Sequence, residues 1–233
     1  MTKGLAIIGY GKMGRMIERL APEYGFEVRA KFSGQENGGA RALTANTLTG
    51  VDVAVEFTRP DVAVANLQKL AAFGVATVCG TTGWFSELER LKARINGNGS
   101  GLVWSANFSV GLNIFREVVA EAARRFAREE SYGAWGWEIH HAAKKDAPSG
   151  TLLALEQEMK RNGYTREISL SANRAGTVPG THEIGFDSAE DTITIRHTAR
   201  SREGFARGAL RAANWVIGKR GVFEFRDILS ELA

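Results

Sequence analysis

Gly4-Leu5-Ala6-Ile7-Ile8-Gly9-Tyr10-Gly11-Lys12-Met13-Gly14 decides the fold. A short apolar run ends at a glycine, and beyond it Met13, Met16, Ile17 and Leu20 recur at helical spacing. The stretch reads as strand, tight turn and helix, with GxGxxG between the two elements. Each glycine there has its own physical task. Gly9 permits the sharp turn, Gly11 lets backbone approach a pyrophosphate, and Gly14 allows helix and strand to pack closely. The helix start, with Lys12 and Met13 on it, adds free N–H groups and the positive end of the dipole. Such a turn suits a dinucleotide.

The same alternation continues outward. Residues 26–32 alternate as a second strand after Gly25, and 33–39 are polar and glycine-rich, a loop. A strand follows over 51–57, Pro60 suits the first turn of a helix over 61–73, and 75–79 form another strand. A helix over 87–95 and a strand over 101–105 complete the pattern, which predicts a parallel sheet with helices on both faces. Near Asn107 the texture changes. A long helix over 110–128 carries Leu112, Phe115, Val118, Val119 and Phe126 on one side. A strand over 135–141, a helix over 152–161, and strands over 168–172, 181–186 and 192–197 then suggest a second sheet, before a last helix over 205–217. The fold class is α/β: an N-terminal Rossmann-type dinucleotide-binding domain, 1–108 completed by 204–233, plus a C-terminal α+β substrate domain, 109–203, with an open sheet.

Composition excludes several classes. Apolar residues make up 44% of the 233 and charged residues 24%, so disorder is out. The single cysteine, Cys79, leaves no intrachain disulfide and no cysteine-based zinc cluster, and a thiol at a strand end is read as packing. No apolar run reaches the roughly 18 residues of a membrane span. The start meets a glycine turn too early for a signal peptide, so a cytoplasmic setting is expected. The net charge is +4, from 30 Lys+Arg against 26 Asp+Glu, with the cations scattered. That favours a solvated surface, or a field for an anionic substrate or phosphate cofactor, over nucleic acid.

An acid about 20 residues beyond the glycines holds the adenosine ribose of NAD in such folds. Here the count lands on Ser33-Gly34, with Lys31 just before, Glu36 past flexible residues, and Arg41 beyond. Nothing repels a 2′-phosphate, so NADPH or dual use is expected over strict NADH use.

The chemistry concentrates in Glu138-Ile139-His140-His141-Ala142-Ala143-Lys144-Lys145-Asp146-Ala147-Pro148-Ser149-Gly150-Thr151. Ser149-Gly150-Thr151 opens a helix, where hydroxyls and N–H groups make an anion site. A lysine beside a helix start would hold a carboxylate, and a histidine nearby would donate a proton near neutral pH. From the residues alone, a capped helix with two surface histidines stays open. Zinc is not expected, because adjacent histidines on a strand point apart.

Further motifs match one family. They are Glu56-Phe57-Thr58-Arg59-Pro60, Cys79-Gly80-Thr81-Thr82-Gly83, Ser105-Ala106-Asn107-Phe108-Ser109-Val110-Gly111 and the stretch 197–205. With the glycine turn and the 138–151 loop, the chain resembles the 4-hydroxy-tetrahydrodipicolinate reductase (dihydrodipicolinate reductase) family nearly end to end. The resemblance implies NAD(P)H-dependent reduction of 4-hydroxy-tetrahydrodipicolinate to tetrahydrodipicolinate in lysine and diaminopimelate biosynthesis. It makes His140 the proton donor, with Lys144 beside it in catalysis. His141, Lys144, Ser149, Gly150, Thr151 and Arg202 would surround the carboxylates of the cyclic substrate. Gly9, Gly11, Lys12, Met13, Gly14, Ser33, Phe57, Thr58, Gly80, Thr82, Ala106 and Phe108 would hold NADPH or NADH. A homotetramer built through the second domain is also implied. Two departures matter: Ser33 stands where many members have an acid, and the chain is short between its second and fourth strands, which opens the adenosine pocket. A dehydrogenase of amino or keto acids would not explain His-His-x-x-Lys before Asp-Ala-Pro-Ser-Gly-Thr. A nucleotide-sensing regulator would need a DNA-binding helix pair, which is not evident.

Overall fold

The computed structural model describes residues 2–232, with backbone alone for Gln35 and Glu36. Its chain forms two compact units, one running to Val110 and resumed from Glu203, the other Gly111–Arg202.

The first unit comprises β1 (Lys3–Ile8), α1 (Lys12–Leu20), β2 (Phe26–Phe32), α2 (Gly34–Asn37), β3 (Val53–Glu56), α3 (Pro60–Ala72), β4 (Ala76–Cys79), α4 (Leu88–Asn98) and β5 (Gly101–Trp104). Next come α5 (Val110–Phe126), β6 (Gly133–His140), α6 (Gly150–Arg161), β7 (Ile168–Arg174), β8 (Thr181–Asp187) and β9 (Thr192–Thr198). Finally α7 (Glu203–Val216) and β10 (Gly221–Glu224) return to the first unit.

The first sheet has the order β10-β5-β4-β3-β1-β2, every pair parallel. Side chains alternate across it, so Leu5 and Ile7 meet α1 and α7 while Ala6 and Ile8 meet Leu43 and Leu70 on the other face. Both faces are covered, which is why the central strands are apolar throughout rather than half polar. On α7, small residues permit close approach: Ala206, Ala209, Ala212 and Ala213 are buried, and a Cβ on Gly208 would lie 1.8 Å from the Phe108 carbonyl oxygen. β1 neighbours both β2 and β3, so the strand order reverses there and the carboxyl ends of β1 and β3 open a crevice.

Two expectations are corrected. The stretch read as a loop after β2 contains a helical turn, α2. Asn37 at its end is buried and donates through Nδ2 to Oδ1 of Asn66 on α3, at 2.7 Å. That partner lies far away in sequence, so local polarity gave the wrong impression. Likewise α6 begins at Gly150 rather than Leu152, because Ser149 caps it and accepts the N–H of Leu152 at 3.2 Å.

The second sheet has the order β7-β6-β8-β9, parallel between β6 and β7 and antiparallel elsewhere. Leu112, Phe115 and Val119 from α5 and Leu152, Leu155 and Met159 from α6 share one core with Ile184 and Phe186 of the sheet. Alternation along β6 buries Ala134, Gly136, Glu138 and His140, whereas Trp135, Trp137 and Ile139 are only half-buried. The buried row thus passes from core to chemistry at its carboxyl end.

Gly208→Ala should cost about 2 kcal/mol, because backbone oxygen must move to admit the methyl group. Gly97→Ala on α4 meets nothing within 4 Å, and should be neutral or stabilising by about 0.5 kcal/mol. Urea unfolding of both variants checks the contrast, and equal stabilities would refute it.

Candidate active site

The glycine turn behaves as its residues require. Gly9 has φ +97°, and a Cβ there would lie 2.1 Å from the Phe57 carbonyl oxygen. A Cβ on Gly14 would fall 2.5 Å from the Gly9 oxygen, so helix and turn touch backbone to backbone. At Gly11 a Cβ would meet nothing within 4 Å: the approach to the turn is clear. No side chain caps α1 and its first turn holds no acid, which leaves the dipole end available to phosphate. A cleft of about 510 Å³ is lined by Gly9, Gly11, Ser33, Phe57 and Thr58, together with Tyr10, Gly34, Asn37, Gly39, Arg59 and Val62. A second, of about 320 Å³, shares Gly11, Phe57 and Thr58 and adds Lys12, Met13, Pro60, Gly80, Thr81 and Thr82. A dinucleotide fits this surface.

Three expected cofactor residues line neither cleft. Gly14 is buried in the packing just described, Ala106 is exposed beyond β5, and Phe108 is a core residue against Phe57 and Phe225. A Cβ on Gly80 would come within 2.0 Å of the Phe57 ring, so that ring lies directly on the glycine. Lys31 is held by Glu18 at 2.8 Å and sits over the Tyr10 ring, whose hydroxyl also donates to Glu18. Beneath the clefts lies Glu56, fully buried. It accepts from the Thr58 hydroxyl, from Asn66 Nδ2 at 3.1 Å and from the Cys79 thiol at 3.2 Å. Burial, with the Glu56 carboxylate beside it, pushes the Cys79 thiol well above its ordinary value, so this cysteine is a hydrogen-bond donor and no nucleophile.

The second unit gathers the other set of groups by register. His140 faces Arg174 across β6 and β7, Glu138 faces His182 across β6 and β8, and His182 faces His197 on β9. Glu138, fully buried, is the hub. Its Oε1 accepts from the Ser149 N–H and from Arg174, both at 2.8 Å, and its Oε2 accepts from the Ser149 hydroxyl. Oε2 also lies 3.3 Å from His182 Nε2 and 3.6 Å from His140 Nδ1. Burial alone would raise the Glu138 pKa, but the bonds from Ser149 and Arg174 outweigh it and hold the carboxyl below its usual range. Burial pushes His140 down; Glu138 opposes that, while Lys144 and Arg174 reinforce it.

Lys144 pairs with Asp146 at 2.7 Å in the loop that follows. His141 is half-buried at the start of that loop, with its carbonyl accepting the Lys144 N–H. Gly150 is exposed and Thr151 half-buried at the start of α6, whereas Ser149 is buried with its hydroxyl on Glu138. Arg202 is exposed at the end of the unit. Sequence reading assigned no role to Glu138, Arg174 or His182. Glu138 was legible, since two residues before His140 means the same face of a strand. Arg174 and His182 needed the register. Glu138, His140 and His182 place ligand-type atoms within 4.8 Å of one another, yet the guanidinium of Arg174 already supplies the counter-charge.

Both units match known proteins. A family model described as the dihydrodipicolinate reductase N-terminus covers residues 3–108, and one described as its C-terminus covers 111–229. The chain belongs to the dihydrodipicolinate reductase family. It is similar to the 4-hydroxy-tetrahydrodipicolinate reductase of Christiangramia forsetii, 34% identical over 240 residues and 98% of each chain. That of Methanoregula boonei is 36% identical over 254 residues, again 98% of each. Among solved structures, the dipicolinate-bound dihydrodipicolinate reductase from Paenisporosarcina sp. TG-14 shares the fold. Its TM-score is 0.84 at 21% identity, over 98% of this chain and 100% of that one. Membership makes the chain an oxidoreductase of lysine and diaminopimelate biosynthesis that uses a nicotinamide cofactor. No described helix is long and apolar enough to cross a membrane.

The buried histidines give the stability of the second unit a pH dependence. Burial lowers His182 to about 4, so the folded protein binds fewer protons than the unfolded chain between that value and about 6.5. Stability from His182 is full above this window and is lost as pH falls through it. The thermal midpoint should drop from neutral pH to about 4.5, and His182→Gln, uncharged throughout, should flatten that drop. An unchanged slope in the variant would show that other groups govern it.

Proposed function

We propose that the chain reduces 4-hydroxy-tetrahydrodipicolinate to tetrahydrodipicolinate, with His140 as the proton donor and the loop from His141 to Thr151, together with Arg202, around the carboxylates. The observation that carries this reading is the Glu138–His140–Ser149 cluster at the carboxyl end of β6, placed beside Lys144 and the start of α6. The bound dipicolinate of the Paenisporosarcina protein is a dicarboxylate, which supports the assignment of the anion-holding groups. A lysine whose present partner is an exposed aspartate can exchange it for a substrate carboxylate. The start of α6 at Gly150, whose N–H acts on the Asp146 carboxylate, and the dipole of that helix offer a second hold.

The nicotinamide, when bound at the glycine turn, supplies the hydride. Hydride addition to one carbon of the ring C=C bond moves the electron pair to the neighbouring carbon, which takes its proton from the His140 imidazolium. Loss of the substrate hydroxyl as water precedes that step. The protein contributes orientation and the proton.

Ser33, just after β2, stands where an acid holds the adenosine ribose of NAD in such folds, which favours NADPH at least as much as NADH. Titrating each reduced cofactor by fluorescence should show this, and Ser33→Asp should selectively weaken NADPH. A wild-type preference for NADH of about tenfold or more would count against the reading. A cytoplasmic homotetramer is part of the same proposal. It is supported by the uncovered edge strand β9 with Ile193 exposed, and sedimentation tests it.

The deciding assay follows oxidation of reduced nicotinamide with the freshly formed product of the preceding synthase. His140→Gln should lower turnover roughly 10²–10⁴-fold and leave cofactor binding unchanged. His141→Gln should instead weaken substrate affinity more than turnover. Retention of more than about a third of wild-type turnover in His140→Gln would place the proton source elsewhere.

A further inference from the structure

We infer that Glu138 is the positioning residue of His140: its carboxylate takes the Nδ1–H and thereby assigns the transferable proton to Nε2. The inference rests on the reading of His140 as the proton donor. It starts from the two edges of one ring. Nδ1 of His140 is buried and has no hydrogen-bond partner, and Glu138 Oε2 stands 3.6 Å from it. A shift of a few tenths of an ångström turns that approach into a charge-assisted hydrogen bond. The opposite edge faces Gly180, whose φ is +148°. A Cβ there would come within 3.0 Å of both Nε2 and Cδ2, so glycine keeps the Nε2 edge clear.

Glu138 itself cannot turn away. Ser149, Arg174 and His182, from α6, β7 and β8, surround its two oxygens. The ring is also fixed from the side, with His182 edge-on at a centroid distance of 5.0 Å. Charges reach His140 from every neighbouring element: Glu138 on its own strand, Arg174 on β7, His182 on β8, and Lys144 and Asp146 in the loop. His197 on β9 acts on His182. Of these, Glu138 and Asp146 favour the protonated ring, while burial and the cations oppose it. Without Glu138, proton affinity at His140 falls and the neutral ring loses its reason to keep the proton on Nδ1.

The test is nitrogen NMR of the full chain labelled with ¹⁵N-histidine, whose four imidazoles are assigned with single His→Gln variants. In the wild type, neutral His140 should be the Nδ1–H tautomer. In Glu138→Gln, His140 should titrate at least about half a unit lower and shift towards the Nε2–H tautomer. The alkaline limb of the turnover profile should move down equally, with KM and cofactor affinity within about twofold. Glu138→Asp, which keeps the charge, should retain a pKa nearer that of the wild type. A wild-type His140 found as Nε2–H overturns the inference even if neither variant folds, as does an unchanged pKa and tautomer in Glu138→Gln. Absence of reductase activity, with the Nδ1–H tautomer present, would instead overturn the functional reading and leave the positioning intact.

Discussion

A carboxylate shut off from water must find every donor it needs inside the protein. Glu138 meets that demand with groups from three other elements, and the layout of the second unit follows from it. Ser149 supplies both its N–H and its hydroxyl, which ties the start of α6 to β6. Arg174 supplies the counter-charge from β7, and His182 closes the remaining side from β8. The start of the helix and the histidine strand are therefore one rigid assembly. Removing a partner would leave a buried charge short of donors, so each is worth more than its own bond.

The first unit solves a similar problem with different chemistry. Glu56 is also fully buried at a strand end, but its described side-chain partners are a hydroxyl, an amide and a thiol. Because a carboxylate only accepts, Asn66 must turn its NH₂ towards Glu56 and its oxygen towards Asn37. Orientation is thereby passed from the floor beneath Thr58 to α2 beside Ser33. The two lips of the larger cleft are linked through a buried polar chain.

The fold class was legible because apolar periodicity and glycine placement are local. GxGxxG between β1 and α1 needs no distant partner to be read. α2 was missed since Asn37 finds its partner on α3. Phe57 and Phe108 show the same limit: both lie in connections that follow strands, within matching motifs, yet one lines the clefts and the other fills the core. In the second unit, His140, Lys144 and Ser149 stand in one contiguous stretch and were visible together. Arg174 and His182 reach Glu138 only through strand pairing, and nothing in their own neighbourhoods announces it.

The return of α7 and β10 to the first unit has a consequence for biogenesis. A ribosome releases β1 to β5 first, but the edge of β5 has no neighbour until β10 emerges. The apolar faces of β1, β3 and β4 lack Ala209, Leu210 and Ala213 for the same interval. Throughout the synthesis of the second unit the nascent sheet is an open-faced intermediate, exposed to chaperones and to mispairing. The nucleotide-binding unit is thus begun before the second unit and closed only after it.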